Sequence, residues 1–318
     1  MAFVTSGLNN VSPGTGVGFL YTIDLATGAI LNKVSTGVGS VASPSGMNRI
    51  AGFADDFAFD NTAKWIYGGD LQGNVWKFDT STAIPTKSLL AVLKDSTGKV
   101  QPITTRPELA FISGFPVVYV GTVRSIGPND LQDPATLLPP ETYSYAQSLY
   151  GIKDRGVTYA NFRAGSVVAN TIIDAGVTRT TSNNQVNWAT QDGWYVDFNP
   201  GGTSFGERVN LDPQLIQGTL IVVTNVPNNS ACSIGGDSWI YFYDYKYGTF
   251  VPSAAGNVAG TKFTGKIIVG EVVVRLPSGT FMGIATGATG EKFGFSPPIF
   301  GGALPARRIS WREIFSRQ

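Results

Sequence analysis

The 318-residue sequence contains no histidine. This absence excludes Ser-His-Asp and Cys-His catalysis, imidazole zinc sites and histidine pH switches. The sequence has one cysteine, Cys232, which can form neither an internal disulfide nor a cysteine-based metal site. A lone cysteine beside small residues is typical of a packed small hydrophobe.

Charge and long apolar runs are also scarce. Charged residues make up 14% of the sequence and the net charge is +1, which gives no electrostatic reason to expect nucleic acid or an anionic membrane as a partner. No apolar run approaches the roughly 20 residues that span a bilayer. The start, MAFVTSGLNN, has no basic segment and no apolar core of a signal peptide. We therefore expect either a cytoplasmic protein or a segment of a longer exported chain.

Turn-forming and aromatic residues are abundant instead. The sequence has 39 glycines, 18 prolines and 12% aromatic residues, a profile of short strands joined by many turns. The segment 55–79 shows the pattern: strand Trp65–Tyr67, a turn at 70–74 and strand Val75–Asp79. Gly73 suits the positive φ that such a turn requires. The sequence predicts a β-hairpin here.

The end of this hairpin, an aromatic residue followed closely by Asp, recurs along the chain at Asp24, Asp79, Asp154 and Asp244, with a shorter copy at 193–198. A strand, a tight turn, a strand ending in Asp and a Gly-containing turn form the unit of a β-propeller blade. The sequence contains five such units. We expect each Asp to accept hydrogen bonds from the backbone of the turn behind it.

The spacing of the repeats is irregular, which predicts two long insertions. Residues 125–145 are Pro-rich and polar and indicate a surface loop, whereas 156–192 contain enough alternating apolar residues for strands. Further on, Lys266–Arg275 predicts one or two strands and Phe281–Thr286 another. The tail 306–315 alternates charged and apolar residues and predicts an edge strand.

Several longer motifs are more specific than the repeat. They are YGGDLQGNVWKFD (67–79), QPITTRPELAF (101–111), VVYVGT (117–122), QSLYGIKDRG (147–156), GWYVDF (193–198), GERVNLDPQLIQGTLIVVTNVPN (206–228) and RRISWREIF (307–315). In sequence and order they resemble the C-terminal β-propeller domain of the PilC/PilY family, the adhesins at the tip of bacterial type IV pili.

The resemblance implies an all-β fold: a modified β-propeller of four-stranded antiparallel blades, five to seven in number, with long loop insertions. Residues 1–318 would be a single propeller domain, the C-terminal segment of a larger exported protein. The implied function is non-catalytic: adhesion and pilus biogenesis outside the cell, supporting surface attachment and twitching motility. The implied partners are minor pilins and host or abiotic surfaces.

The resemblance also implies a calcium loop just before the hairpin, with oxygen ligands at alternating positions. The five corresponding positions here are Asp56, Ala58, Asp60, Thr62 and Lys64. Ala58 offers no side-chain ligand and Lys64 brings a positive charge, so the loop is degenerate. Three alternatives stay open: a solvated polar loop, a loop in which the Lys64 ammonium replaces the metal, and calcium binding with Asp55 or Asn61 recruited.

Two enzyme classes share the propeller fold. A glycosidase needs two carboxylates across a pocket, and Asp192, Asp197, Glu207 and Asp212 are candidates only because they are acidic. A quinoprotein-like propeller, the other alternative, shares the repeat but often has an adjacent cysteine pair that this chain lacks. The aromatic run Trp239–Tyr247 favours blade packing over glycan stacking. The sequence has no Arg-Gly-Asp tripeptide, which excludes integrin binding through that motif.

Overall fold

The structure is a computed structural model that describes residues 1–8, 10–54, 60, 62–124, 130, 144–202, 206–228 and 235–300. Strands dominate the described residues, with 46% strand against 3% helix. The helical turns are single 3-10 turns at Phe162–Ala164, Pro200–Gly202 and Ala255–Asn257. No helix in these ranges is long and apolar enough to cross a membrane.

The strands in chain order are β1 (Ala2–Thr5), β2 (Phe19–Ile23), β3 (Ile30–Ser35), β4 (Ile50–Phe53), β5 (Trp65–Gly69), β6 (Asn74–Asp79), β7 (Thr86–Val92), β8 (Glu108–Ile112), β9 (Phe115–Gly121), β10 (Ser148–Lys153), β11 (Val167–Asn170), β12 (Ile172–Asp174), β13 (Thr178–Thr181), β14 (Gly193–Asp197), β15 (Gln214–Ile216), β16 (Thr219–Pro227), β17 (Gly236–Asp244), β18 (Gly260–Phe263), β19 (Ile268–Arg275), β20 (Phe281–Gly287) and β21 (Lys292–Phe295).

Within the described residues these strands form five sheets, numbered here along the chain. Sheet 1 has the order β1-β2-β3, sheet 2 β4-β5-β6-β7 and sheet 3 β11-β14-β10-β9-β8. Sheet 4 has the order β12-β13-β18-β17-β16-β15 and sheet 5 β19-β20-β21. Neighbouring strands are antiparallel, except that β11 pairs with β14 in parallel.

Alternating side chains of each central sheet enter two different cores, because successive residues of a strand point to opposite faces. In sheet 2, Ile66 packs in the core shared with sheet 1, and Tyr67 packs in the core shared with sheet 3. In sheet 3, Val118 faces sheet 2 while Tyr119 faces sheet 4. The sheets therefore pack face to face in chain order, as the blades of a propeller do.

The all-β propeller prediction is confirmed, but the expectation of four strands per blade is not. Only sheet 2 has four strands among the described residues. The insertion 156–192 supplies β11, β12 and β13, which widen sheets 3 and 4 beyond four strands. Five sheets match the lower end of the expected blade number. A single domain over 1–318 stays a prediction.

The other local predictions are mostly confirmed. Strands β19 and β20 lie where the sequence predicted them, at Ile268–Arg275 and Phe281–Gly287. Gly73 adopts a φ of 74°, and a Cβ there would lie 2.8 Å from the carbonyl oxygen of Leu93, so the β5–β6 turn requires glycine. The tail strand, Cys232 and most of the loop 125–145 lie outside the described residues.

Candidate functional site

The repeated aspartates cap turns, as the sequence predicts. Asp24, Asp79, Asp154 and Asp244 each accept a hydrogen bond from the backbone N–H two residues later, at 2.7, 2.9, 2.9 and 2.8 Å. The oxygen that accepts is Oδ1 in every case, so the four turns share one geometry. This is the Asx-turn arrangement, and it explains why Asp recurs at the end of these strands.

Asp154 also joins two sheets. Its Oδ2 accepts a hydrogen bond of 2.7 Å from the Tyr67 hydroxyl and lies 2.6 Å from the Lys77 ammonium, both in sheet 2. The Asp154 side chain is buried, and burial together with this carboxylate raises the pKa of Tyr67 above its usual range. A charge-assisted joint of this kind fixes how sheets 2 and 3 pack.

A cleft of about 210 Å³ beside this joint brings the carboxylates of Asp79 and Asp154 to one surface. Each carboxylate accepts a hydrogen bond from the turn that follows it, and Asp154 also forms an ion pair with Lys77. Hydrogen bonds from Ser81 hold the pKa of Asp79 below its usual value. A glycosidase acid needs a raised pKa, so Asp79 is not suited to that role.

Three positions of the degenerate calcium loop are described, Asp60, Thr62 and Lys64, and they precede β5 at the same end of sheet 2. Asp60 is exposed, and its Oδ1 accepts a hydrogen bond of 2.8 Å from the backbone N–H of Thr62. Hydrogen bonds from Thr62 hold the pKa of Asp60 below its usual value. The Lys64 ammonium lies 4.7 Å from the centroid of the Trp65 ring, where a cation is attracted by the ring face.

The other residues considered as calcium ligands, Asp55, Asp56, Ala58 and Asn61, lie outside the described residues. Within the described ranges no group of three or more acidic, cysteine or histidine side chains is placed to hold a metal ion. The Lys77 ammonium also lies 4.2 Å from the Trp65 centroid, so two cations gather at this ring. Replacement of the metal by Lys64 stays a prediction.

The four acidic residues considered for glycoside hydrolysis lie in separate ion pairs. Each carboxylate is within 3.0 Å of a different guanidinium: Asp192 with Arg155, Asp197 with Arg163, Glu207 with Arg179 and Asp212 with Arg49. Glu207 is fully buried, and its Oε1 accepts hydrogen bonds from Thr224 and Tyr241 at 2.7 and 2.8 Å. The structure assigns these four residues to joints between elements.

The aromatic run of β17 packs in the protein interior. Trp239, Tyr241 and Tyr243 are at most 2% exposed and belong to the core between sheets 3 and 4, while Ile240 and Phe242 belong to the core between sheets 4 and 5. Packing was the favoured interpretation, and it is confirmed. These three rings offer no surface to a glycan.

Sequence reasoning missed the carboxylates of Asp70 and Glu271. Asp70, in the β5–β6 turn, is 0% exposed and accepts five hydrogen bonds. Glu271, in β19, has a buried Oε2 with no hydrogen-bond partner in the described part of the chain. Burial and the nearby Asp212 carboxylate raise the pKa of Glu271 to about 8. A single acidic residue within the β-branched run of β19 was the available signal.

The comparisons with known proteins agree with this architecture. No protein-family model matches the chain. Among curated proteins, the chain is 30% identical over 296 residues to the type IV pilus biogenesis factor PilY1 of Pseudomonas aeruginosa strain PAO1, covering 77% of this chain and 23% of that protein. It is 31% identical over 268 residues to a PilY1 homolog of Xylella fastidiosa, covering 78% of this chain and 21% of that protein.

Among solved structures, the crystal structure of the Pseudomonas aeruginosa PilY1 C-terminal domain superposes with a TM-score of 0.70 at 23% identity, covering 93% of this chain and 71% of that one. The sheets and this likeness define an all-β protein of the modified β-propeller class. In particular, the chain is homologous to PilY1 and has the fold of the PilY1 C-terminal domain. It spans about a quarter or less of the length of these curated relatives.

Proposed function

We propose that this chain is the propeller module of a type IV pilus biogenesis factor. The observation that carries the proposal is the 30% identity to PilY1 over 77% of the chain. The fold likeness, with a TM-score of 0.70, supports the same assignment. The module contributes to pilus assembly by binding other proteins, and minor pilins are the partners that we propose.

The finer role that we propose is non-catalytic adhesion outside the cell, at the pilus tip, which supports surface attachment and twitching motility. The site geometry supports the non-catalytic part of this role. The acidic residues that a glycosidase would need are held in separate ion pairs with Arg49, Arg155, Arg163 and Arg179. The absence of histidine leaves few other general bases near neutral pH.

The experiment that tests the role removes the segment corresponding to residues 1–318 from the chromosomal gene. Surface pili, attachment and twitching are scored together with the level of the shortened protein. We expect fewer pili, with attachment and twitching reduced, and restoration by the unmodified gene. Normal pilus number and motility at a normal protein level would contradict the proposal.

The proposed location has its own test. Immunogold labelling with an antibody against this chain is expected to mark pilus tips. Labelling along the shaft, or only at the cell body, would overturn the tip assignment without affecting a biogenesis role. Turnover on a polysaccharide panel that is abolished by substitution of one Asp or Glu would overturn the non-catalytic assignment.

A further inference from the structure

A groove of about 460 Å³ lies where sheets 1, 2 and 3 meet, at the end of sheet 2 that carries the β5–β6 turn. We name it the Leu71 groove. Its most buried lining residues are Leu71 and Asn74, both 8% exposed, and its exposed lining comes from Ala42 and Ser43 in the loop after β3. This volume falls within the range of about 300–1,000 Å³ that is typical of ligand-binding clefts.

The groove is held in shape by hydrogen bonds on both sides. The Gln72 side-chain amide donates to the Ser43 carbonyl oxygen at 3.1 Å, which ties the loop to the β5–β6 turn. On the other side, Lys94 and Val100 form an antiparallel bridge. Asp95 closes that turn by accepting from the backbone N–H groups of Thr97 and Lys99, at 2.8 and 3.0 Å. A preformed groove loses little conformational freedom when a ligand binds.

The charged side chains among the described residues that line the groove are both cationic. They are Lys94 and Arg124, and no carboxylate of the described residues lines the groove. Arg124 lies 3.0 Å from Asp130, so its charge is compensated. Lys94 forms no ion pair with a carboxylate in the described part of the chain. The bridge between Lys94 and Val100 holds the backbone of Lys94 beside the groove. The remaining lining is mixed: it includes the apolar residues Val38, Pro44 and Val92 and the polar residues Ser43, Gln72 and Asn74.

We propose that the Leu71 groove binds an extended segment of a partner protein in which an Asp or Glu side chain is flanked by small apolar residues. The carboxylate pairs with the Lys94 ammonium, and the flanking side chains cover Leu71 and Val92. An extended segment fits because successive side chains point to opposite sides, so a single acidic side chain can enter between the loops. The proposal goes beyond the proposed function and does not depend on it.

The test uses the whole 318-residue chain and two probe peptides in calorimetric titration at low salt. The probes are acetyl-Ala-Val-Asp-Val-Ala-amide and the same peptide with Asn in place of Asp. We expect the Asp peptide to bind at least fivefold more tightly, and Lys94→Met to remove that difference while keeping the apolar stem. Lys99→Met is the matched control, because Lys99 is exposed on the same hairpin and does not line the groove.

A second variant tests the groove from its opposite wall. Ala42→Glu places a carboxylate in the groove at an exposed position, so folding is preserved and the Asp peptide is expected to bind at least fivefold more weakly. Equal binding of the two peptides, no binding of either at millimolar concentration, or an equal loss in Lys99→Met would overturn the proposal. Displacement of the Asp peptide by an equal concentration of inorganic phosphate would show a simple anion site and overturn the peptide assignment.

Discussion

The indole Nε1 of Trp76 donates a hydrogen bond of 2.8 Å to Oδ2 of Asp70, so a strand of sheet 2 is tied to the turn that precedes it. Four further donors reach the same carboxylate: the Ser45 hydroxyl, the backbone N–H of Gln72, and both the backbone and side-chain N–H groups of Asn74, at 2.9–3.1 Å. No charged residue is among the five. The carboxylate thus organises the turn through hydrogen bonds alone.

The first prediction follows from this count of donors. Asp70→Asn replaces one acceptor oxygen with an N–H₂ group that faces donors, so at least one buried donor loses its partner. We expect the free energy of unfolding to fall by about 3 kcal/mol, measured by urea denaturation. Gln72→Ala is the control: it keeps the backbone donor and should cost less than about 1 kcal/mol. Equal losses in the two variants would contradict the assigned role of Asp70.

The second prediction concerns the buried pair of Arg179 and Glu207, whose Nη1 and Oε2 atoms are 2.6 Å apart. The Arg179 guanidinium also lies 3.8 Å from the centroid of the Trp239 ring. Glu207→Gln removes this carboxylate from a buried guanidinium that keeps the Asp174 carboxylate at 2.8 Å, and we expect a loss of about 3 kcal/mol in the free energy of unfolding.

The double variant Arg179→Met with Glu207→Gln separates the charge effect from packing. The double variant removes both charges. Its loss in the free energy of unfolding should therefore be smaller than the sum of the losses of the two single variants, by more than about 1 kcal/mol. Denaturant unfolding of the wild type, both single variants and the double variant gives this difference directly. Additive losses would show that the pair does not act as a unit.

The third prediction is a pH dependence at Glu271. The pKa of Glu271 in the folded protein, about 8, lies above its ordinary value of 4.5. A raised folded-state pKa gives stability that is fully present below about pH 4.5 and is lost as the pH rises through about 8. Glu271→Gln removes the charge that would otherwise form next to Asp212.

We therefore expect Glu271→Gln to be more stable than the wild type at pH 9, by up to about 5 kcal/mol, and within about 1 kcal/mol of it at pH 5. Thermal unfolding across that pH range measures the difference. Glu291→Gln is the control, because Glu291 is partly exposed and its pKa is lowered instead. A stability gain in Glu271→Gln that did not change with pH would contradict the assignment.

Much of the fold was predictable because local sequence patterns determine where its strands and turns lie. The repeat of aromatic residues and Asp gave the strand ends, and the Asx turns at Asp24, Asp79, Asp154 and Asp244 follow from the chemistry of one side chain. The departure from regular four-stranded blades was not predictable. Whether a strand such as β11 joins a sheet depends on long-range pairing, here with β14, which no local pattern encodes.

The site was less predictable for the same reason. Sequence reasoning selected acidic residues by type, whereas their roles depend on partners far along the chain. Glu207 binds Arg179, and Asp212 binds Arg49. The Leu71 groove needs loops from three sheets, so no segment of the sequence contains it.

The last prediction concerns Lys64, at a position that the family resemblance assigns to a calcium ligand. The ammonium lies near Trp65, and a second cation, Lys77, lies at the same ring. If Lys64 takes the place of the metal, the loop keeps its shape without calcium. The wild-type chain should then show no saturable binding at micromolar calcium and no change in Tm when a chelator is added.

Lys64→Asp restores a carboxylate where calcium could use one, because Ca²⁺ is bound by 6–8 oxygen atoms. We expect the Tm of this variant to rise with calcium concentration. The rise should be smaller than a complete site would give, because Ala58 still offers no side-chain ligand. Lys99→Asp makes the same charge change at an exposed position away from the loop and should not respond to calcium. Saturable micromolar binding by the wild type, or a large drop in its Tm with chelator, would show that the lysine has not replaced the ion.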